Sequence, residues 1–337
     1  MLKKRKNSVL ALLSAVLLAL FLLSFYIGRY GVDVWTTCRV LLSRIFPLKS
    51  TWQPNIEAIV LQVRLPRILI ACLVGGCLSA AGAAYQGVFQ NPMASPDIMG
   101  ASAGGAFGAA LGILLGFSSF GVTASAFLGS LATVALVYAV GQRAQGKRIL
   151  NLVLAGMVIS SLFSAGTSYI KLVADPTNQL PEITYWLMGS LSGMRLATVW
   201  RILPAMLLGL VPLFLLRWKI NLLSLGDDEA RTVGIHVTRM RLAVVLCATL
   251  ITAASISVAG MIGWVGLVIP HFCRKLVGSN FKVLLPASML TGAAFLLLVD
   301  DVSRNLTATE IPIGILTACI GAPFFLWLML RKGGVQR

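Results

Sequence analysis

Charge is what this sequence has least of. Of its 337 residues, 12% are Asp, Glu, Lys or Arg, about half the share that a water-soluble domain carries. So small a supply cannot coat a soluble surface. With 58% apolar residues, the composition also excludes disordered, collagen-like and disulfide-scaffold chains. Histidine occurs only at His236 and His271, too few and too isolated for a metal site. Six cysteines form no CxxC or CxxCH motif, and Cys72, Cys77, Cys247 and Cys319 lie inside apolar runs as small soft hydrophobes.

Catalytic motifs are missing too. No HExxH, GxSxG or intramembrane carboxylate pair occurs, so no enzymatic role is expected. Ion-coupled transporters and pumps keep a carboxylate or histidine at membrane depth. Here every acid is expected near a block end or in a loop, with Asp300 and Asp301 the nearest to exceptions. A channel or ion-coupled secondary transporter is therefore the less favoured class. Two short matches are decoys. "GQRAQGKR", from Gly141 to Arg148, has arginine where a P-loop needs a Mg²⁺-binding hydroxyl, and it follows an apolar block rather than a strand. "NPM" at Asn91–Met93 resembles half of an aquaporin signature that has no second copy here.

What the sequence has is long apolar blocks. A spanning helix needs about 20 mostly apolar residues, and ten blocks qualify: 8–28, 65–88, 98–116, 120–141, 149–171, 197–216, 240–260, 262–277, 283–303 and 312–330. They predict an all-α integral membrane protein, a ten-span helical bundle forming one transmembrane domain over residues 1–337. The eighth block is short and contains Pro270. The first follows "KKRKNS"; with no A-x-A cleavage site after it, it is expected to be a retained span.

With the N-terminus inside, the inner segments hold 18 of the 28 Lys and Arg but only Asp97, Asp227, Asp228 and Glu229 among the acids. That asymmetry follows the positive-inside rule and places both termini in the cytoplasm. The net charge of +17 thus reflects topology and anionic-lipid attraction rather than a nucleic-acid footprint. Two polar intervals, 29–63 and 172–196, fall outside. In the second, "PEITYWLMGSL" predicts a short interfacial helix with Tyr185 and Trp186 at headgroup level. Gly100, Gly104, Gly108, Gly112 and Gly116 recur every four residues, a spacing that lets helix backbones approach closely in lipid. Between the sixth and seventh blocks, the stretch 219–239 is polar and amphipathic. Broken by Gly226 and Gly234, it predicts two short helices lying across the inner membrane face as a docking surface.

Six stretches carry a resemblance that covers essentially the whole chain: "VRLPRIL" (63–69), "GVFQNPMASPDIMGASAGG" (87–105), "YWLMGSLSG" (185–193), "LGDDEARTVGI" (225–235), "GWVGLVIPHFCR" (263–274) and "EIPIGILTACIGAPFFLWLML" (310–330). In this order they resemble the FecCD-type permeases of bacterial ABC importers for iron-siderophores, haem and cobalamin. The resemblance implies the fold of a type II importer permease in the bacterial cytoplasmic membrane. Its implied partners are a second permease copy (homodimer or paired heterodimer), two ATPase subunits that bind the ATP, and an extracytoplasmic substrate-binding protein. It implies no cofactor, metal or catalytic residue in this chain. Gly226, Asp228, Glu229, Ala230 and Gly234 match the segment that couples to the ATPase, with Glu229 where the family pattern has alanine. Arg64, Arg67 and Arg304 match the arginines that meet glutamates of the binding protein; their place on the translocated side runs against the positive-inside trend. Asn91, Pro92 and Met93 fall beside the cytoplasmic gate. The expected cargo is an iron(III)-siderophore, with haem, cobalamin and molybdate as alternatives.

Overall fold

A computed structural model describes residues 2–28, 30–44, 46, 52–145 and 148–331. In chain order the helices are α1 (Leu2–Ser24), α2 (Val34–Leu42), α3 (Pro54–Ala58), α4 (Leu65–Val88), α5 (Ala101–Leu114), α6 (Ser119–Arg143), α7 (Arg148–Val173) and α8 (Gln179–Met188). They continue as α9 (Leu196–Leu225), α10 (Asp227–Thr232), α11 (Val237–Ala259), α12 (Val265–Val277), α13 (Phe281–Asn305) and α14 (Ile313–Arg331). Among the described residues there is no strand. In hydrocarbon every backbone N–H and C=O needs an internal partner, and a helix supplies these within itself.

Among the described residues, seven helical stretches are long and apolar enough to cross a membrane: Lys6–Ser24, Pro54–Val88, Ser119–Arg143, Ile149–Val173, Leu196–Leu225, Val237–Ala259 and Phe281–Asn305. The other three expected spans coincide with the shorter helices α5, α12 and α14. Length and composition thus support seven crossings, and the chain is a multi-pass membrane protein.

The post of the bundle is α4. Its sequence "LSAAGAAYQGV" is almost all small residues, and nearly the whole helix is buried against α9, α11, α12 and α13. Backbone meets backbone at Gly75 against Gly292 and at Gly82 against Gly266, where no methyl would fit. Tyr85 Oη and Thr249 Oγ1 share a hydrogen bond of 2.9 Å inside this contact. Hydroxyls elsewhere in the core turn back to their own helix, as Thr252 does to Ala248 O (2.8 Å) and Ser255 to Ile251 O (2.7 Å). The glycine stripe of α5 packs as its spacing predicts, with Gly104 and Gly108 against Gly129 and Ser125 of α6. Its ends do otherwise: Gly100 (φ +75°) and Gly116 (φ +69°) lie outside the helix and turn the chain.

Within the polar interval 29–63 lie α2 and then α3, which runs through a π-helical segment, Ile59–Arg64, straight into α4. Pro66 follows at once, and proline cannot supply the N–H of a regular turn, so the wider π turn accommodates it. The block 98–116 is not one helix: a single 3₁₀ turn, Pro96–Met99, precedes the left-handed Gly100 and only then α5. The inner stretch 219–239 holds one short transverse helix, α10, instead of two, because α9 runs on to Leu225 and α11 begins at Val237. The amphipathic α8, by contrast, lies within the predicted 172–196 interval.

Candidate functional site

Sequence reasoning singled out three groups of residues, and the fold sets them at one end of the bundle (expected outer), at the opposite end (expected inner) and at the bend between α4 and α5. At the outer end, Arg64, Arg67 and Arg304 come together where α1, α4 and α13 meet, and all three are buried. Arg64 donates to the carbonyls of Phe25 and Tyr30. Arg67 Nε donates to both oxygens of Asp300 (2.9 and 3.0 Å), and its Nη1 to both oxygens of Glu310 (2.9 Å each). Arg304 pairs with Asp301, lies 3.3 Å from Asp300, and reaches Ser24 Oγ at 2.9 Å. Ser24 in turn donates to Asp301 at 2.6 Å.

Arg67 and Arg304 therefore form one network with Asp300, Asp301, Glu310 and Ser24, and Arg64 is held beside it by backbone carbonyls; none of the three is a free exposed charge. Sequence reasoning missed those four partners. A signal existed for two of them: Asp300 and Asp301 stand four and three residues before Arg304, helix-neighbour spacings. Arg67 and Asp300 lie 233 positions apart, and nothing local joins them.

At the inner end, α10 stands between Gly226 (φ +149°) and Gly234 (φ +82°), conformations that side chains rarely adopt. Ala230 is its buried contact with the bundle. Asp227 fixes the helix to α11 through Arg241 at 2.6 Å, and Ile235 N returns to Ala230 O at 3.1 Å. Asp228 points away, its side chain 91% exposed, and meets only a long 3.5 Å pairing with Arg231. Glu229 lies beside Gly226. Apolar Leu225 and Val233 are exposed at either end.

Asn91, Pro92 and Met93 are exposed at the bend after α4. Asn91 Oδ1 accepts from Met93 N at 2.9 Å and shapes the bend. Gln90 (φ +51°) donates to Leu223 O at 3.0 Å, which ties this bend to the end of α9, three residues before Gly226. The bend and α10 are thus mechanically adjacent.

Beyond the bend the chain re-enters the bundle. Ile98 packs on Gly156, eight residues inside α7, and Pro96 packs on Gly266 of α12. At 1.5 Å per residue that is about 12 Å from the helix start. Asp97 stands between these two contacts, in the turn ahead of α5. It accepts from Ser102 and borders a cavity of about 550 Å³ with Met188, Met261, Trp264 and Cys319. Asp97 thus holds a loop position, as expected. Irregular backbone at depth is tolerated where it is packed in protein or lines a cavity, and the Gly260–Trp264 break (Trp264 φ +69°) forms another wall.

Comparison with known proteins gives the family. The FecCD transport family matches residues 16–331. The chain belongs to the FecCD transport family. It is 40% identical to the molybdate import system permease protein MolB of Haemophilus influenzae, over 96% of each chain. A permease protein of an iron chelatin transport system in Helicobacter pylori is 39% identical, over 96% of this chain and 98% of that one. A solved structure described as an inward-facing metal-chelate type ABC transporter superposes with a TM-score of 0.87 at 38% identity, covering 96% of this chain and 99% of the other. The chain is an ABC importer permease of this family, a transport subunit.

Proposed function

We propose that the chain is the membrane-spanning half of an ATP-driven, binding-protein-dependent importer of iron(III)-siderophore complexes in the bacterial cytoplasmic membrane. The observation that carries the cargo reading is the cavity beside Asp97. Its walls are mostly Met, Trp, Ile and Leu side chains, with one carboxylate and one serine. Such a lining suits a bulky chelate held by weak contacts, and its single negative charge disfavours a small oxyanion such as molybdate. A family relative named for iron chelatin supports the same reading.

Two permease copies, as a homodimer or a paired heterodimer, enclose the pathway. Support comes from the broad apolar surfaces that α7 and α14 leave open, including Leu162, Leu172 and Leu326. Two ATPase subunits bind and hydrolyse ATP. Each grips α10 through Asp228 and Glu229, with Ala230 and the flanking Gly226 and Gly234 holding the helix rigid. Closure of the ATPases moves α9, and Gln90 passes that motion to the gate at Asn91, Pro92 and Met93. On the other face the binding protein docks at Arg64, Arg67 and Arg304. Both chain ends lie in the cytoplasm, and the domain is one body from 1 to 337.

Uptake into proteoliposomes holding the permease, its ATPase and its binding protein tests the reading, with labelled ferric siderophores compared against labelled molybdate. Vanadate-sensitive siderophore uptake is expected. Preference for molybdate would overturn the cargo. Cargo movement without the ATPase would favour a channel or secondary transporter.

A further inference from the structure

The outer network is electrically closed. Three guanidinium groups lie together with three carboxylates: Arg67 and Arg304 pair with Asp300, Asp301 and Glu310, while Arg64 beside them donates to the carbonyls of Phe25 and Tyr30. A partner carboxylate entering such a network adds an unbalanced negative charge unless one of the resident acids leaves. We infer that docking of the binding protein works by exchange: a carboxylate of the partner replaces Glu310 on the outer edge of Arg67. The inference rests on the reading of these arginines as the docking set.

The three acids are not equally able to leave. Asp300 is fully buried and is shared by Arg67 and Arg304. Asp301 is nearly as buried and is held by Arg304 and Ser24. Glu310 is 34% exposed and is held through Arg67 Nη1. The two edges of the Arg67 fork serve different acids, Nε facing Asp300 and Nη1 facing Glu310. Exchange at the outer edge therefore leaves the inner pair intact, and a planar fork suits a second carboxylate there.

Glu310 is also placed to report its own departure. It lies on the connector from α13 to α14, which is fastened by Ser303 Oγ to Ile311 O (2.6 Å) and by Ile313 N to Gly189 O (2.9 Å). Immediately beyond, Gly314 and Ile315 form part of the wall of the Asp97 cavity. Releasing Glu310 frees this connector where it meets the pathway, so the contact is both a docking surface and an outer latch.

The test is the affinity of the purified substrate-binding protein for the permease–ATPase complex in lipid nanodiscs, by surface plasmon resonance. Glu310→Gln, nearly isosteric and on a connector, removes the competing charge and should tighten binding about two- to fivefold, the scale of a partly exposed ion pair. Arg67→Gln should weaken binding. Arg67→Lys keeps a charge for Asp300 but lacks the fork, and should weaken binding while the complex still assembles with its ATPase. If Glu310→Gln leaves affinity unchanged or lower while both Arg67 variants weaken it, the exchange is overturned and docking at Arg67 stands. If assembled Arg67 variants bind like the wild type, the docking reading itself falls.

Discussion

The two ends of this molecule treat charge in opposite ways. At the outer end, Arg67 and Arg304 are satisfied by Asp300, Asp301 and the partly exposed Glu310, and Arg64 by backbone carbonyls, with Asp300 and Arg67 almost wholly enclosed. At the inner end, Asp227 anchors α10, and Asp228 and Arg231 stand in the open. An open charge is ready for a partner, whereas an enclosed one must first be released. On the proposed reading, the inner face suits lasting engagement and the outer face a contact that costs a rearrangement.

Substitutions can break this contrast. The largest effect is expected from Asp300→Ala, which leaves two buried guanidinium groups facing a missing acid. Loss of one partner of a buried pair costs about 3–5 kcal/mol, so heating the purified permease should show a sharply lowered midpoint. Asp227→Ala strands the buried Arg241 while water reaches the site more easily. A cost of about 1–3 kcal/mol is expected in the same assay. Asp228→Arg should change stability by no more than about 0.5 kcal/mol, as exposed substitutions do. Its effect should fall instead on co-purification of the ATPase, which is expected to drop. If Asp228→Arg destabilised the fold as much as Asp300→Ala, the contrast between the two ends would be lost.

The smallest effect concerns Asp175, in the turn between α7 and α8. The amides of Thr177 and Asn178 donate to its carboxylate and hold its pKa below the usual carboxylate value. A depressed folded pKa contributes stability above the unfolded value and loses it as pH falls through the folded value. The amide resonances of Thr177 and Asn178 should therefore stay constant through the ordinary Asp range, near pH ~4, and shift only below it. Asp175→Asn should abolish that shift.

Much of the architecture was legible because the bilayer imposes a simple rule. Apolar runs such as 240–260 and 283–303 are close to α11 and α13, since a chain in hydrocarbon has few other ways to satisfy its backbone. Gly226 and Gly234 were readable as the bounds of a transverse segment because each takes a backbone conformation that suits glycine. Harder to read was the re-entrant turn at Pro96–Gly100, which sits in a run apolar enough to pass for a helix start. The extra helix α2, nine residues, is too short to announce itself by length. The arginines were found, but their surroundings were not. Sequence spacing shows Arg304 beside Asp300 and Asp301, yet it cannot show that Arg67 and Glu310, 243 positions apart, complete the same network.

The central claim is that this chain moves cargo only when an ATPase grips α10 from the inner face. The most direct measurement is ATP-dependent uptake of a labelled ferric siderophore by proteoliposomes containing the full assembly, with wild-type permease compared to Asp228→Arg. The account predicts uptake that needs ATP and binding protein, and its collapse in the variant while the permease remains folded. Uptake that continues without ATP, or that is unchanged by the variant, would contradict it.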